Sequence, residues 1–377
     1  MNVKINESAI SYDINKELSV IDGSPFQLED MTSLVQRNEI EPKLLSTLLN
    51  STAMQETFMS DTFKYDEENW GAQLPEGKPY SGKGKDLDKD QPRQLRFQIP
   101  SFGLRFNTAP QDYIGRRRPG TTNEFLTEAD VQAQQNFKSQ QSWSLFEEYC
   151  LAFLLRTDTN VVRGGPFASQ NFYDLVAGTA VTAGLPTFEG VPATRQTTSM
   201  QLGSASVDHV LLFRRQRKIL EQRLARANDS ASEFVCVCGD NFYDQRYEIA
   251  KKEGLARPII PPTPDLASTP VGTINVGGLN YDTFRSEDGI RYINYGSEII
   301  DGEKLIPDDN GYLLPVGAQK LIGVGFAPSQ TRQYANTEAL SMYAWTFVNE
   351  FQGVVTMQES NKLYMYKNPQ NVIHLTV

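Results

Sequence analysis

The sharpest charge run in the chain is Arg116, Arg117 and Arg118, in the stretch QDYIGRRRPG. Three guanidiniums side by side suit a phosphate, because each offers a planar fork of N–H donors. They suit equally a solvated turn, or carboxylates of this chain or of a neighbouring copy. With a formal net charge of -10 and a pI near 5.0, that second reading comes first. A second charged cluster lies in the Gly- and Pro-rich stretch 71–92, where Lys78, Lys83, Lys85 and Lys89 interleave with Asp86 and Asp88. It is either a solvated tip or a tip that docks on another subunit through charge pairs, and the sequence supports both. Cys236 and Cys238 alternate with valine in FVCVC, as in a buried strand with both sulfurs on one face. A zinc site wants four N or S ligands, and the chain has three cysteines and two histidines, His209 and His374, both within apolar runs. Cys150 falls in the apolar half of a helical pattern, a poor setting for a nucleophile. The sequence contains no P-loop, HExxH or GxSxG pattern. No acid stands out in an apolar setting that would mark a general acid. The expectation is no catalytic, cofactor or metal site.

The elements that carry these groups follow from spacing. Residues 127–156 hold neither Gly nor Pro and start on a capping pair, Thr127 with Asp130. A helix there is about 45 Å long at ~1.5 Å per residue. Its first half is mostly Gln, Asn and Ser, with Ala133 and Phe137 as sparse anchors. Its second half is apolar, with Phe146, Cys150 and Phe153 on one side. Such a helix runs out of a core and across a surface, as in a protein that tiles against copies of itself. Residues 54–65 read as a strand. Residues 93–106 alternate, Leu95, Phe97 and Ile99 against Arg96 and Gln98. Together they make a long hairpin around the charged tip, and a two-stranded hairpin is not stable alone in water.

Further along, 206–227 reads as a helix with the apolar stripe Val207, Val210, Leu211, Ile219, Leu220 and Leu224 and a basic opposite face. The FVCVC strand and another helix follow, then a proline-rich connection over 257–270. Gly277-Gly278, Asp288-Gly289 and Asp301-Gly302 signal hairpin turns. Ser360-Asn361 signals another, between strands at 354–357 and 363–366, with an apolar strand at 372–377 closing a sheet.

At 377 residues with 39% apolar content, the chain is folded and large enough for two or more subdomains. The acidic balance argues against a general nucleic-acid binder. The N-terminus has no apolar core of a signal peptide, and no apolar run approaches the ~20 residues of a membrane span. The expectation is a soluble, cytoplasmically made protein whose first residues are a polar arm.

Three stretches carry a resemblance. RQLRFQIPSFGLRFNTAPQDYIGRRRPG is similar to a returning hairpin strand and charged turn ahead of a long helix. EFVCVCGDNFYDQ is similar to a strand-then-helix segment. YGSEIIDGEKLIPDDNGYLLPVGAQKLIGVGFAPSQTRQYANTE, followed by GVVTMQESNKLYMYKNPQNVIHLTV, is similar to a C-terminal third. In that order, from about residue 44 to the end, the chain resembles the major capsid proteins of tailed bacteriophages, of the lambda-type capsid protein E family. The resemblance implies an α+β, HK97-like capsid fold. Its parts are an N-terminal arm (1–57), an extended-loop hairpin (58–106), a peripheral domain (107–227) with a spine helix (127–156), an axial domain (228–330), and a return to the peripheral domain (331–377). It implies a structural protein, not an enzyme, that assembles into hexamers and pentamers of an icosahedral shell. The shell encloses double-stranded DNA without sequence-specific binding. The other implied partners are a portal, a scaffold or protease, and as a further candidate a decoration protein. The implied location is the virion, assembled in the host cytoplasm. The first 40 residues match no part of that family, and no cross-linking lysine–asparagine pair is assigned. The alternatives are a soluble multidomain α/β binding protein or enzyme, or an encapsulin-like compartment.

Overall fold

The computed structural model describes residues 42–50, 54–67, 93–118, 124–162, 169–172, 195–204, 207–252, 271–329, 331, 334, 337–348 and 353–377. The arm 1–41, the charged tip with its four lysines and two aspartates, and the proline-rich connection lie outside the described residues.

The chain opens with helix α1 (Leu44–Asn50) and strands β1 (Met54–Thr57), β2 (Thr62–Glu67), β3 (Arg93–Gln98) and β4 (Ser101–Thr108). The long helix α2 (Glu128–Thr157) comes next, then β5 (Thr197–Ser199), α3 (His209–Arg226), β6 (Glu233–Cys238) and α4 (Asp240–Lys252). The remainder is strand: β7 (Val271–Val276), β8 (Leu279–Arg285), β9 (Ile290–Asn294), β10 (Ile299–Ile300), β11 (Glu303–Lys304), β12 (Asn310–Val316), β13 (Ile322–Phe326), β14 (Tyr343–Val348), β15 (Val354–Tyr366) and β16 (Ile373–Thr376). The α+β class expected from the sequence is the class observed.

Two sheets organise the molecule. A five-stranded sheet runs β1-β13-β15-β14, with β4 also on β15. A seven-stranded sheet runs β5-β16-β12-β6-β9-β8-β7. Strands β2 and β3 pair only with each other among the described residues. The middle of the larger sheet is β6, whose residues 235–238 are fully buried. A strand covered on both faces reads as a continuous apolar run, which is why FVCVC was legible. Its two thiols share a face, 3.5 Å apart, and are free.

Several elements differ from expectation. The strand at 54–65 is two strands. β1 runs parallel to β13, and the chain leaves that sheet after Phe58, whose N–H donates to Phe326 O (3.0 Å), before β2 joins β3. The strand at 93–106 breaks at Ile99-Pro100, where proline offers no N–H to a ladder. Ser360 and Asn361 form no turn. They lie inside the 13-residue β15, opposite Phe102 and Ser101. Their side-chain donors are satisfied: Ser360 Oγ donates to Ser341 O (2.9 Å), and Asn361 Nδ2 donates to Pro328 O (3.1 Å) and Glu359 Oε1 (2.6 Å).

The stripe of α3 is rotated from the one expected. The helix starts at the Asp208 cap and buries His209, Phe213, Gln216, Leu220 and Leu224, leaving Leu211 45% exposed. Phe213 sets the rotation by meeting Phe242 and Tyr292 edge-on. The three glycine or aspartate–glycine turns fall where expected, at β7–β8, β8–β9 and β10–β11. At Gly289, φ is +80°, and a Cβ would stand 1.8 Å from Arg217 Nη1, so that turn admits only glycine.

Each sheet draws strands from more than one of the expected ranges. β5, inside the range 107–227, and β16, inside 331–377, both belong to the seven-stranded sheet. β13, inside 228–330, belongs to the five-stranded one.

The expected C-terminal strand is core: Val372, Ile373 and Leu375 are fully buried. On the same strand His374 stacks on Tyr312 of β12, centroids 5.0 Å apart and planes 8° apart. Burial, helped by the Arg195 charge, pushes the His374 pKa down to about 4. The folded ring therefore stays neutral while the unfolded one takes up a proton near 6.5. This contribution to stability is complete above pH 6.5 and is lost as the pH falls toward 4. Replacing His374 with Phe keeps a stacked ring and removes the proton. The drop in melting temperature between pH 7 and pH 5 is expected to be smaller in His374→Phe than in wild type, read by thermal melts at the two pH values.

Candidate assembly surfaces

The arginine turn is tied into its own chain. Arg118 N donates to Glu124 O (2.8 Å) and Leu126 N to Arg116 O (2.9 Å), so the turn and the approach to α2 run antiparallel. The Arg118 guanidinium stands 3.6 Å from Glu124 and 3.7 Å from Asp130. Asp130 also completes the capping box with Thr127, and those hydrogen bonds, with Arg118 adding less, hold its carboxyl below the usual range. Of the alternatives open for the arginines, the intrachain ion pair holds for Arg118, while Arg116 is exposed. The lysines and aspartates of the tip lie outside the described residues.

Helix α2 has the expected split. It begins at the Thr127 cap, ends on Asp158 in the left-handed conformation, and buries Cys150, Leu151, Ala152, Leu154 and Leu155 in its second half. Its first half is largely exposed. Ala133 and Phe137 are not anchors: Ala133 is exposed, and Phe137 is 51% exposed. Val131, Ser139 and Trp143 face inward instead. The expected anchors Phe146 and Phe153 are only partly buried, and Phe146 packs on Phe102 of β4.

Polar clamps fix the helix to the five-stranded sheet on one side and to β11 and Arg195 on the other. On the five-stranded sheet, Ser139 Oγ (2.8 Å) and Trp143 Nε1 (2.9 Å) both donate to Gln358 Oε1. Buried Lys362 of the same strand reaches Glu147 (2.6 Å) with its ammonium near the Trp143 and Phe146 rings. On the other side, Arg156 donates to Lys304 O (3.0 Å) and Glu303 (2.9 Å), and Arg195 binds Asp158.

The most consequential polar residue is one that sequence reasoning missed. Glu148 is fully buried on α2, so the expectation that no acid sits in an apolar setting fails. Its carboxylate accepts from Leu45 N (2.6 Å) and Ser46 N (2.8 Å), at the first turn of α1, and from Tyr295 Oη (2.5 Å), just past β9. Burial, then the Glu148 charge, pushes the Tyr295 hydroxyl and the nearby Glu298 carboxyl up. The signal was present: Glu148 stands among Leu145, Phe146, Tyr149 and Leu151. All the donors it receives are backbone N–H or hydroxyl, and all lie far away in sequence. The arrangement fastens three elements. Equally unforeseen is Arg246, fully buried on α4 and paired with buried Asp288 (3.0 Å).

The basic face of α3 is also spoken for. Arg217 binds Glu221 (2.8 Å) and Asp288 O (3.0 Å), and Arg223 binds Gln370 O (2.6 Å) and Gln196 (2.5 Å). Among the described residues no three His, Cys, Asp or Glu side chains gather as metal ligands, and no helix is long and apolar enough to cross a membrane.

What stands open is surface. The first half of α2 and the end strand β14 lack a covering layer among the described residues, and no other strand pairs with the ribbon β2–β3. No family model matches the sequence, and no curated protein matches it. Solved structures do resemble it. The capsid of cyanophage A-1(L) superposes with a TM-score of 0.51 at 11% identity, over 95% of this chain and 98% of that one. The capsid of cyanophage P-SCSP1u gives 0.50 at 8%, over 95% and 94%. A looser likeness, 0.44 at 9% over 95% and 94%, is to the SrpI encapsulin of Synechococcus elongatus, and nothing is built on it. The chain has the HK97-like fold of these phage capsids over about 95% of its length.

Proposed function

We propose that this chain, which folds as tailed-phage shell proteins fold, is itself a major capsid protein. It assembles into hexamers and pentamers of an icosahedral shell around double-stranded DNA, and it works by self-association without catalysis. The observation that carries this reading is the ribbon β2–β3. It pairs with no other strand among the described residues. Its base is held by Phe97 on Phe172 and by Gln98 with Gln170, and the rest of a two-stranded ribbon gains stability only against another surface. A neighbouring copy supplies that surface, which couples the ribbon's order to assembly. The acidic chain, at net -10, suits a lining that holds DNA loosely enough to release it.

In this reading 58–106 is the extended loop, 127–156 the spine helix of a peripheral domain over 107–227, and 228–330 an axial domain around the five- or six-fold axis. Lys78, Lys83, Lys85, Asp86, Asp88 and Lys89 make the docking tip, with Arg116 and Arg117 near subunit contacts. A portal and a scaffold or protease complete the particle, and assembly takes place in the host cytoplasm.

Electron microscopy of the purified protein tests the proposal: rings or closed shells are expected, and a monodisperse monomer at high concentration overturns it. Deleting 71–91 is expected to leave the monomer's melting curve nearly unchanged and to abolish shells. Normal shells from the deletion would sink the docking-tip assignment.

A further inference from the structure

The five-stranded sheet is only half roofed. Helix α2 covers the face of β15 that holds Thr356 and Gln358, both buried. The ladder places Thr346 and Ala344 of β14 beside them on that face, yet Ala344, Thr346 and Val348 are all exposed, because the helix stops short of β14. Leu340, Met342 and Phe347 are exposed as well, and Val348 is 67% exposed. This is the densest group of exposed large apolar side chains among the described residues.

β14 is also an end strand. It pairs rung for rung with β15, and no strand lies on its outer edge among the described residues. Proteins ordinarily guard such an edge with charge, proline or a bulge. Here there is none: from Ala339 to Asn349 no residue is charged and none is proline.

We infer that this uncharged strip, Leu340 to Val348, seats a second copy of this chain. Electrostatics selects the occupant. Two copies at -10 each carry a net repulsion that only locally paired charges escape. A strip with no charge is where like-charged copies approach without a like-charge contact, and its apolar area supplies the attraction. The inference rests on the assembly reading above and adds which surface does the assembling.

Val348→Lys places a charge on the strip, and Gln222→Lys places the same charge on the exposed side of α3. At a concentration where wild type assembles, Val348→Lys is expected to lower the assembled fraction at least about tenfold by sedimentation velocity, the size of a ~1.4 kcal/mol loss. Gln222→Lys is expected to assemble as wild type does. Equal assembly by Val348→Lys overturns the inference, and so does equal loss by both variants. If Val348→Lys fails to fold, Val348→Cys carries the test. The native cysteines are all buried, so an environment-sensitive dye labels position 348. Its emission is expected to shift blue on assembly, and an unshifted spectrum in assembled particles overturns the inference. Wild type that never assembles would instead defeat the proposed function, and this inference with it.

Discussion

Replacing Glu148 with alanine is expected to lower the free energy of unfolding by about 3–5 kcal/mol, the usual range for removing one partner of a buried charged network. The carboxylate satisfies three donors at once, two of them backbone N–H groups of α1 that no other acceptor can reach. Its removal leaves them buried and unpaired, each costing about 1–3 kcal/mol, offset where water enters. Glu148→Gln retains one acceptor oxygen and should fall between alanine and wild type. Urea titration of the unassembled protein measures both. An alanine variant within about 1 kcal/mol of wild type would mean that α1 is not held by this carboxylate.

The second large effect is expected at Asp288. Its carboxylate accepts from Arg246 Nη2 (3.0 Å), Tyr292 Oη (2.7 Å) and Ile290 N (2.9 Å), with Arg246 lying over the Phe213 and Tyr292 rings. Asp288→Asn leaves the Arg246 guanidinium charged inside the core and should cost about 3–5 kcal/mol. Adding Arg246→Met removes the stranded charge, so the double variant should be more stable than Asp288→Asn alone. Strict additivity of the two single losses would show that the pair is not coupled, contrary to its geometry.

These sites show where the sequence was legible. The capping box at Thr127, the FVCVC strand and the glycine turns each declare themselves within a few residues, because caps, alternation and positive φ are local properties. Glu148 does not. Its partners lie 103 and 147 residues away, and a glutamate in a helical pattern looks the same whether it faces water or a buried helix end. The Ser360-Asn361 pair misled for a related reason. Serine and asparagine favour turns when nothing else binds their side chains, but here Ser341 and Pro328 do. The shared sheets were illegible because strand pairing, not sequence order, decides membership. The docking tip and the first 41 residues of the arm could not be compared, since they fall outside the described residues.

The position of β16 bears on the order in which the protein comes into being. The final strand does not lie on an edge of the seven-stranded sheet. It is inserted between β5 and β12, pairing parallel with one and antiparallel with the other. β5 reaches the sheet only through β16, so the sheet stays split, with β5 unattached, until β16 has been made. A nascent chain that lacks β16 cannot close its larger sheet, however much of the rest has folded.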